Sequence, residues 1–180
     1  MSKIGKQSAE AMNDLLALSI VPRWAIVPMS RPQSVGEHSF RVAVILLELC
    51  KRLGIKADHD ALVWALTHDG PESRTGDIPS TVPRNLLTET ELAACPWYRD
   101  IIGHIPVRWR MMVKLADLIE AATYVAMWGN GAHARKVAAL AKDRAIAVSH
   151  EFAAHPDFGY PEVPGHVAFL MEDIESEIGR

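Results

Sequence analysis

The segment 107–128, VRWRMMVKLADLIEAATYVAMW, lies between Pro106 and Gly129 and contains neither residue type. Proline is tolerated at a helix start and glycine at its end, so the segment predicts one long helix. Within it Asp117 shares a row with Val113 and Ala121, at spacings of four. A carboxylate is thereby inserted in a core-facing stripe. Once it leaves water, such a group needs a cation, a metal or hydrogen bonds. The fold has to be built around this helix, and it has to bring a partner to that acid.

The rest of the chain repeats the helical signal. Ser34 and Glu37 have the S-x-x-E spacing of a capping box and predict a helix over about 35–53, ended by Gly54. His38, Val42, Ile45, Leu46 and Leu49 fall on one face of it, at spacings of three and four. Asp58 can cap a third helix that runs to about Asp69 and stops at Gly70-Pro71. Residues 8–19 form an amphipathic stretch closed near Pro22, and Thr88 with Glu91 marks a further short helix. Two more helices are expected over 132–154 and from His166 to Ile178, joined by the Pro/Gly-rich HPDFGYPEVPGH. No stretch alternates as a strand does. The expectation is an all-α fold, with residues 1–180 as one domain.

Charge and cysteine content narrow the function classes. The net charge is −3, so no global basic field draws the chain to a nucleic-acid polymer. An anionic ligand must then be met by local cations or a metal. Only Cys50 and Cys95 occur, without CxxC spacing, which argues against a disulfide framework or a cysteine zinc site. The N-terminus lacks the apolar core and cleavage site of a secretory signal. No run reaches the roughly 18 apolar residues needed to span a bilayer. A reduced, cytoplasmic setting without membrane contact is expected.

Of the eight histidines, His104, His133, His150, His155 and His166 have no clustered carboxylates and suit surface or cap roles. The dipeptide His-Asp occurs at 59–60 and at 68–69. His59 sits in a first turn among acids, where carboxylates meet the helix dipole favourably. His68 is nine residues further on. At about 100° per residue that is the opposite face, the one carrying Ala61, Trp64 and Ala65. A buried histidine often does no more than satisfy a backbone group, and Lys114, three residues before Asp117, can account for that acid alone. Lys114 cannot also account for His38, His68 and Asp69 on two other helices. Two imidazoles and two carboxylates from three helices make a site for a borderline divalent metal such as zinc, cobalt or manganese.

This H…HD…D pattern, with Asp117 in a K-x-x-D context, resembles that of the HD-domain metal phosphohydrolases, which are all-α proteins. RW-x-x-VP at 23–28, SVGEHS at 34–39, HDGPE at 68–72 and TGDIPS at 75–80 are similar to the short bacterial 5′-deoxynucleotidases of that superfamily. They also resemble the dATP triphosphohydrolases of phages that carry 2,6-diaminopurine in their genomes. The resemblance implies that His38, His68, Asp69 and Asp117 hold the metal and that Glu72 orients or deprotonates the attacking water. It implies a second acid/base or leaving-group role for Asp77, against the alternative of a cap before Ile78-Pro79. Arg23 and Lys114 are the expected phosphate contacts, ahead of Arg74 and Arg84; surface salt bridges are the alternative. Trp24 is expected to stack on the base or crowd the 2′ position of the sugar, or else to be a core residue. Ile26 and Pro79 would complete an apolar adenine pocket. A homo-oligomer is implied as well, with Trp97, Trp109 and Trp128 available for an interface or the core.

Two activities share this chemistry, because the P–O5′ bond is broken in both. A monophosphatase releases phosphate, and a triphosphohydrolase attacked at the α-phosphorus releases tripolyphosphate, with magnesium accompanying its substrate. The R-W-x-I element at 23–26 is closer to the phage enzymes, so dATP is the expected substrate. An apolar Ile26 near the purine 2-position leaves a 2-amino donor unpaired, which can discriminate strongly. A catalytically silent nucleotide-binding helical module is the expectation of another class. It has no need of Glu72 beside an intact ligand set.

Overall fold

A computed structural model describes residues 3–79, 89 and 92–178. Arg84 and the Thr88–Glu91 capping box lie outside the described residues. Those residues form eight helices: α1 (Lys3–Ala17), α2 (Val35–Arg52), α3 (His59–Thr67), α4 (Glu72–Thr75), α5 (Pro96–His104), α6 (Val107–Trp128), α7 (Gly131–Ala153) and α8 (Val163–Ile178). Strand pairing among them is limited to two isolated bridges. The fold class is all-α. No described helix is long and apolar enough to cross a membrane.

Helix α6 is the axis of the molecule, packing against α2, α3, α7 and α8. Its residues Leu115, Ala116, Ile119 and Tyr124 are fully buried, as are Val42, Leu46 and Leu49 of α2 and Ala61 and Ala65 of α3. The face predicted for α2 is therefore the buried one. Ser34 Oγ accepts from the Glu37 N–H at 3.1 Å, and the Glu37 carboxylate turns to Arg31 at 2.6 Å. At the other end Gly54 has φ 66, the left-handed conformation that glycine takes without strain, and the Ile55 N–H reaches back to the Cys50 carbonyl.

Asp58 caps α3 through the Ala61 N–H at 3.0 Å. The helix ends at Thr67, two residues earlier than the sequence suggested, and His68 occupies the cap position. Residues 68–71 then make a tight corner, after which the Glu72 N–H bonds to the Asp69 carbonyl and α4 begins. Gly70 is required there: a Cβ would lie 2.7 Å from the Trp97 ring. The corner is buttressed by α5, whose Tyr98 hydroxyl donates to the His68 carbonyl. Trp97 and Trp109 are buried core residues, which removes them as interface candidates, and Trp128 is half-buried beneath the Arg31 guanidinium.

The segment between α1 and α2 is pinned at both ends. The Val35 N–H bonds to the Val21 carbonyl and the Arg23 N–H to the Gln33 carbonyl. Its middle is tied to the end of α6 by Ser30 N to Trp128 O at 2.7 Å and Asn130 N to Pro28 O at 2.8 Å. Arg23 and Trp24 are thus held over the same end of the helix bundle as the corner at 68–72.

Candidate metal centre

His38 comes from the first turn of α2, His68 and Asp69 from the corner after α3, and Asp117 from the middle of α6. One ligand atom each of His38, His68 and Asp69 lies within 4.8 Å of the other two. Asp117 joins them through Oδ1, 3.3 Å from His38 Nε2, while its Oδ2 is 2.6 Å from Lys114 Nζ. The lysine and the histidine both serve this acid, so the two explanations offered for Asp117 hold together.

The ring nitrogens decide what the cluster is suited to. His68 Nδ1 is 3.0 Å from the Ala65 carbonyl oxygen, which can only accept, so Nδ1 carries the proton. Its Nε2 lone pair then faces Asp69 Oδ2 at 3.4 Å. His38 Nδ1 is 2.7 Å from Glu120 Oε2, and its Nε2 lies 3.4 Å from Asp69 Oδ2. Both Nε2 atoms are buried without a hydrogen-bond partner. An unprotonated Nε2 turned toward a carboxylate repels it unless a proton or a metal cation stands between them. Two imidazoles and two carboxylates are the donor chemistry of a divalent transition metal, and the residues present fit one.

Electrostatics in the metal-free protein agree. Burial and the Arg23 charge push His38 down, but the facing carboxylates of Asp117, Asp69 and Glu120 outweigh them and hold it at about 10. Burial lowers His68, only partly opposed by Asp69 and Asp117. Burial acts to raise Asp69 and Asp117, yet both are held below the carboxylate range, Asp69 by His68 and His38 and Asp117 by Lys114 and His38. Glu72 behaves oppositely. Burial, with the charges of Asp69 and Asp77, raises it to about 10, and its Oε2 has no hydrogen-bond partner.

The other expected residues are placed as follows. Arg23 is nearly buried, 3.4 Å from Glu120 Oε2 and 3.9 Å from Asp77 Oδ1, and it lies over the Trp24 ring. Asp77 Oδ2 accepts from the Trp24 backbone N–H at 3.0 Å, so this acid braces the loop that carries Arg23 and Trp24. Pro79 is half-buried, and Ile26 is exposed, at 58%. Arg74 is engaged elsewhere, by Glu10 and Asp14 of α1. The first His-Asp pair is solvated as expected, with the His59 side chain 87% exposed. Sequence reasoning missed Glu120, Gln33 and Arg41. The available signal was position: Glu120 follows Asp117 by three residues, on the same face of α6.

A profile of the HD domain matches residues 17–106, a span that includes His38, His68, Asp69, Glu72 and Asp77 and stops short of Asp117. The chain belongs to the HD-domain family of phosphohydrolases. Within it, the chain is similar to a dATP triphosphohydrolase of Salmonella phage PMBT28, 37% identical over 135 residues, 67% of this chain and 69% of that protein. A 5′-deoxynucleotidase of Shewanella oneidensis is 33% identical over 73 residues, 38% of this chain and 37% of that protein. Among solved structures, the cyanophage S-2L HD phosphohydrolase bound to dA and one catalytic Zn2+ ion superposes with a TM-score of 0.79 at 26% identity, covering 92% of this chain and 96% of that one.

Proposed function

We propose that this protein hydrolyses dATP to deoxyadenosine and tripolyphosphate, with water attacking the α-phosphorus. The observation that carries the reading is the pair of buried, unpartnered Nε2 atoms of His38 and His68 facing Asp69. His38, His68, Asp69 and Asp117 would hold a divalent ion of the zinc, cobalt or manganese class, and magnesium would accompany the triphosphate. The ion supplies Lewis acidity toward water and a phosphoryl oxygen, and offsets the Asp69 charge that faces Glu72.

Glu72 takes the proton from the attacking water and passes it to the departing 5′-oxygen, while Asp77 helps to hold the leaving group and braces Trp24. Lys114, about one-third exposed, neutralises phosphate oxygens. Arg23 supports the same role from a more buried position, where its Nε has no hydrogen-bond partner. Trp24 crowds the 2′ side of the sugar, and Ile26 with Pro79 covers the adenine. The exposure of Ile26 is consistent with a surface that a ligand covers.

The phage dATP triphosphohydrolase similar over two thirds of the chain supports the triphosphate reading. The shorter similarity to a 5′-deoxynucleotidase keeps a monophosphatase as the second reading. Incubation with dATP, its 2-amino analogue and dAMP, followed by separation of products, tests both. Tripolyphosphate from dATP and little turnover of the analogue are expected; phosphate from dAMP with dATP untouched would sink the first reading.

The working unit we propose is one domain over residues 1–180, assembled as a homo-oligomer in the cytoplasm, of the host if phage-encoded, and acting on free deoxynucleotide rather than on a nucleic-acid polymer. Phe40, Val44 and Leu47, exposed along one face of α2, support the assembly. The free, buried Cys50 and Cys95 suit a reducing compartment.

A further inference from the structure

Glu120 is fully buried on α6, three residues beyond Asp117, and it is the most heavily engaged side chain near the metal centre. Its Oε2 receives His38 Nδ1–H at 2.7 Å and Arg23 Nη1 at 3.4 Å. Its Oε1 receives Gln33 Nε2 and Arg41 Nε, each at 2.7 Å. A carboxylate that served only to balance one buried charge would need one cation. Here both oxygens are fixed, by donors from α2 and from the segment before it.

Gln33 extends the arrangement. Its side chain is also buried, and its Oε1 accepts from the Trp24 indole N–H at 2.7 Å. Trp24 has φ 66, a conformation unfavourable for a bulky residue that persists only when its surroundings impose it. Asp77 holds its backbone N–H and Gln33 holds its ring. An unbroken series of hydrogen bonds therefore joins the Trp24 indole, Gln33, Glu120 and His38, and ends at Nε2 of that ring.

We infer that Glu120 is a positioning residue: it fixes the tautomer and orientation of His38 with Nε2 toward Asp69 and Asp117, and through Gln33 it holds Trp24 in the same frame. The inference rests on the proposed reading of the four-residue set as a metal centre and of Trp24 as a nucleotide contact. The physical reason is general. A ligating imidazole whose other nitrogen is held by a carboxylate binds its metal in one orientation and with raised basicity.

The test is zinc affinity, measured by competition with a chromophoric chelator on metal-free protein, for wild type, Glu120→Gln, Gln33→Leu and Asp69→Asn. Glu120→Gln is expected to weaken zinc by roughly ten- to a hundredfold. Gln33→Leu is expected to keep wild-type zinc affinity, because Arg41 still holds Oε1, while raising KM for dATP with kcat retained. Wild-type zinc affinity in Glu120→Gln overturns the inference, provided that Asp69→Asn has lost zinc. If Asp69→Asn binds zinc normally, the metal-site reading fails instead. Glu120→Gln leaves two guanidiniums short of a counter-charge, so 15N NMR of the zinc-loaded wild type supplies an arm independent of its folding. His38 is expected to show a solvent-protected Nδ1–H and a metal-bound Nε2. A metal-bound Nδ1, or an Nδ1–H exchanging freely with water, overturns the inference.

Discussion

His38 Nε2 and Asp69 Oδ2 stand 3.4 Å apart, the one delivered by α2 and the other by the corner after α3. Without an ion the proton on His38 reconciles the pair, because an unprotonated nitrogen would face two carboxylates, Asp69 and Asp117. The point where a metal would bind is therefore the point where a proton sits. Holding the two side chains this way is the work of the Ser34 cap on one side and the Gly70 corner on the other.

Metal affinity should therefore depend on pH in a stated direction. The His38 proton competes with the ion and is held to about 10, whereas His68 is lowered and both aspartates are already ionised. The His38 proton is displaced when the ion binds, and a second leaves Glu72 as the ion offsets the Asp69 charge. The logarithm of zinc affinity is expected to rise by about one to two units per pH unit between about pH 7 and 9, flattening as His38 and Glu72 lose their protons. Chelator competition across that range measures it. A flat profile would mean that His38 does not ligate through this nitrogen.

Substitutions at the two His-Asp pairs should have opposite consequences. His68→Ala and Asp69→Asn are expected to lose bound zinc and to reduce turnover by at least about 10³-fold, since a Lewis acid is worth several kcal/mol at the transition state. His59→Ala should keep both metal content and rate, because that side chain is solvated. Metal analysis with steady-state kinetics decides. Equal effects at 59 and 68 would contradict the site.

Glu72→Gln separates proton transfer from metal binding. The side chain keeps its shape but cannot accept a proton, so kcat is expected to fall by about 10²- to 10⁴-fold. Zinc content should stay at the wild-type level, because Glu72 is not among the proposed ligands. A variant that lost zinc along with its rate would move Glu72 into the ligand set.

Elements bounded by local chemistry were readable in the sequence. The Ser34 and Asp58 caps, and the long helix between Pro106 and Gly129, lie where cap and breaker residues put them. The clustering of His38, His68, Asp69 and Asp117 was readable because Asp117 breaks an apolar row and His68 continues one. Helix α5 was not anticipated: it lacks a side-chain N-cap, opens on Pro96, and is held by tertiary contacts of Trp97 and Tyr98. Glu120 went unnoticed although it shares the face of Asp117. Its partners Gln33, Arg41 and His38 lie some eighty residues away in sequence, and no local pattern announces a buried carboxylate satisfied from such a distance.

Lys114 offers the sharpest distinction between substrates. Its Nζ is 2.6 Å from Asp117 Oδ2, on a side chain about one-third exposed, so the ammonium pairs with the acid and stays open to solvent. If the ammonium also meets the polyphosphate, kcat/KM of Lys114→Met for dATP should fall by at least about tenfold, as expected for a lost charge-assisted hydrogen bond. The loss for dAMP should be smaller, since two of the three phosphates are absent. A lysine that did nothing but neutralise Asp117 would act through the metal, and dATP and dAMP would then decline together. Parallel kinetics on the two nucleotides, with zinc content measured alongside, tell these outcomes apart.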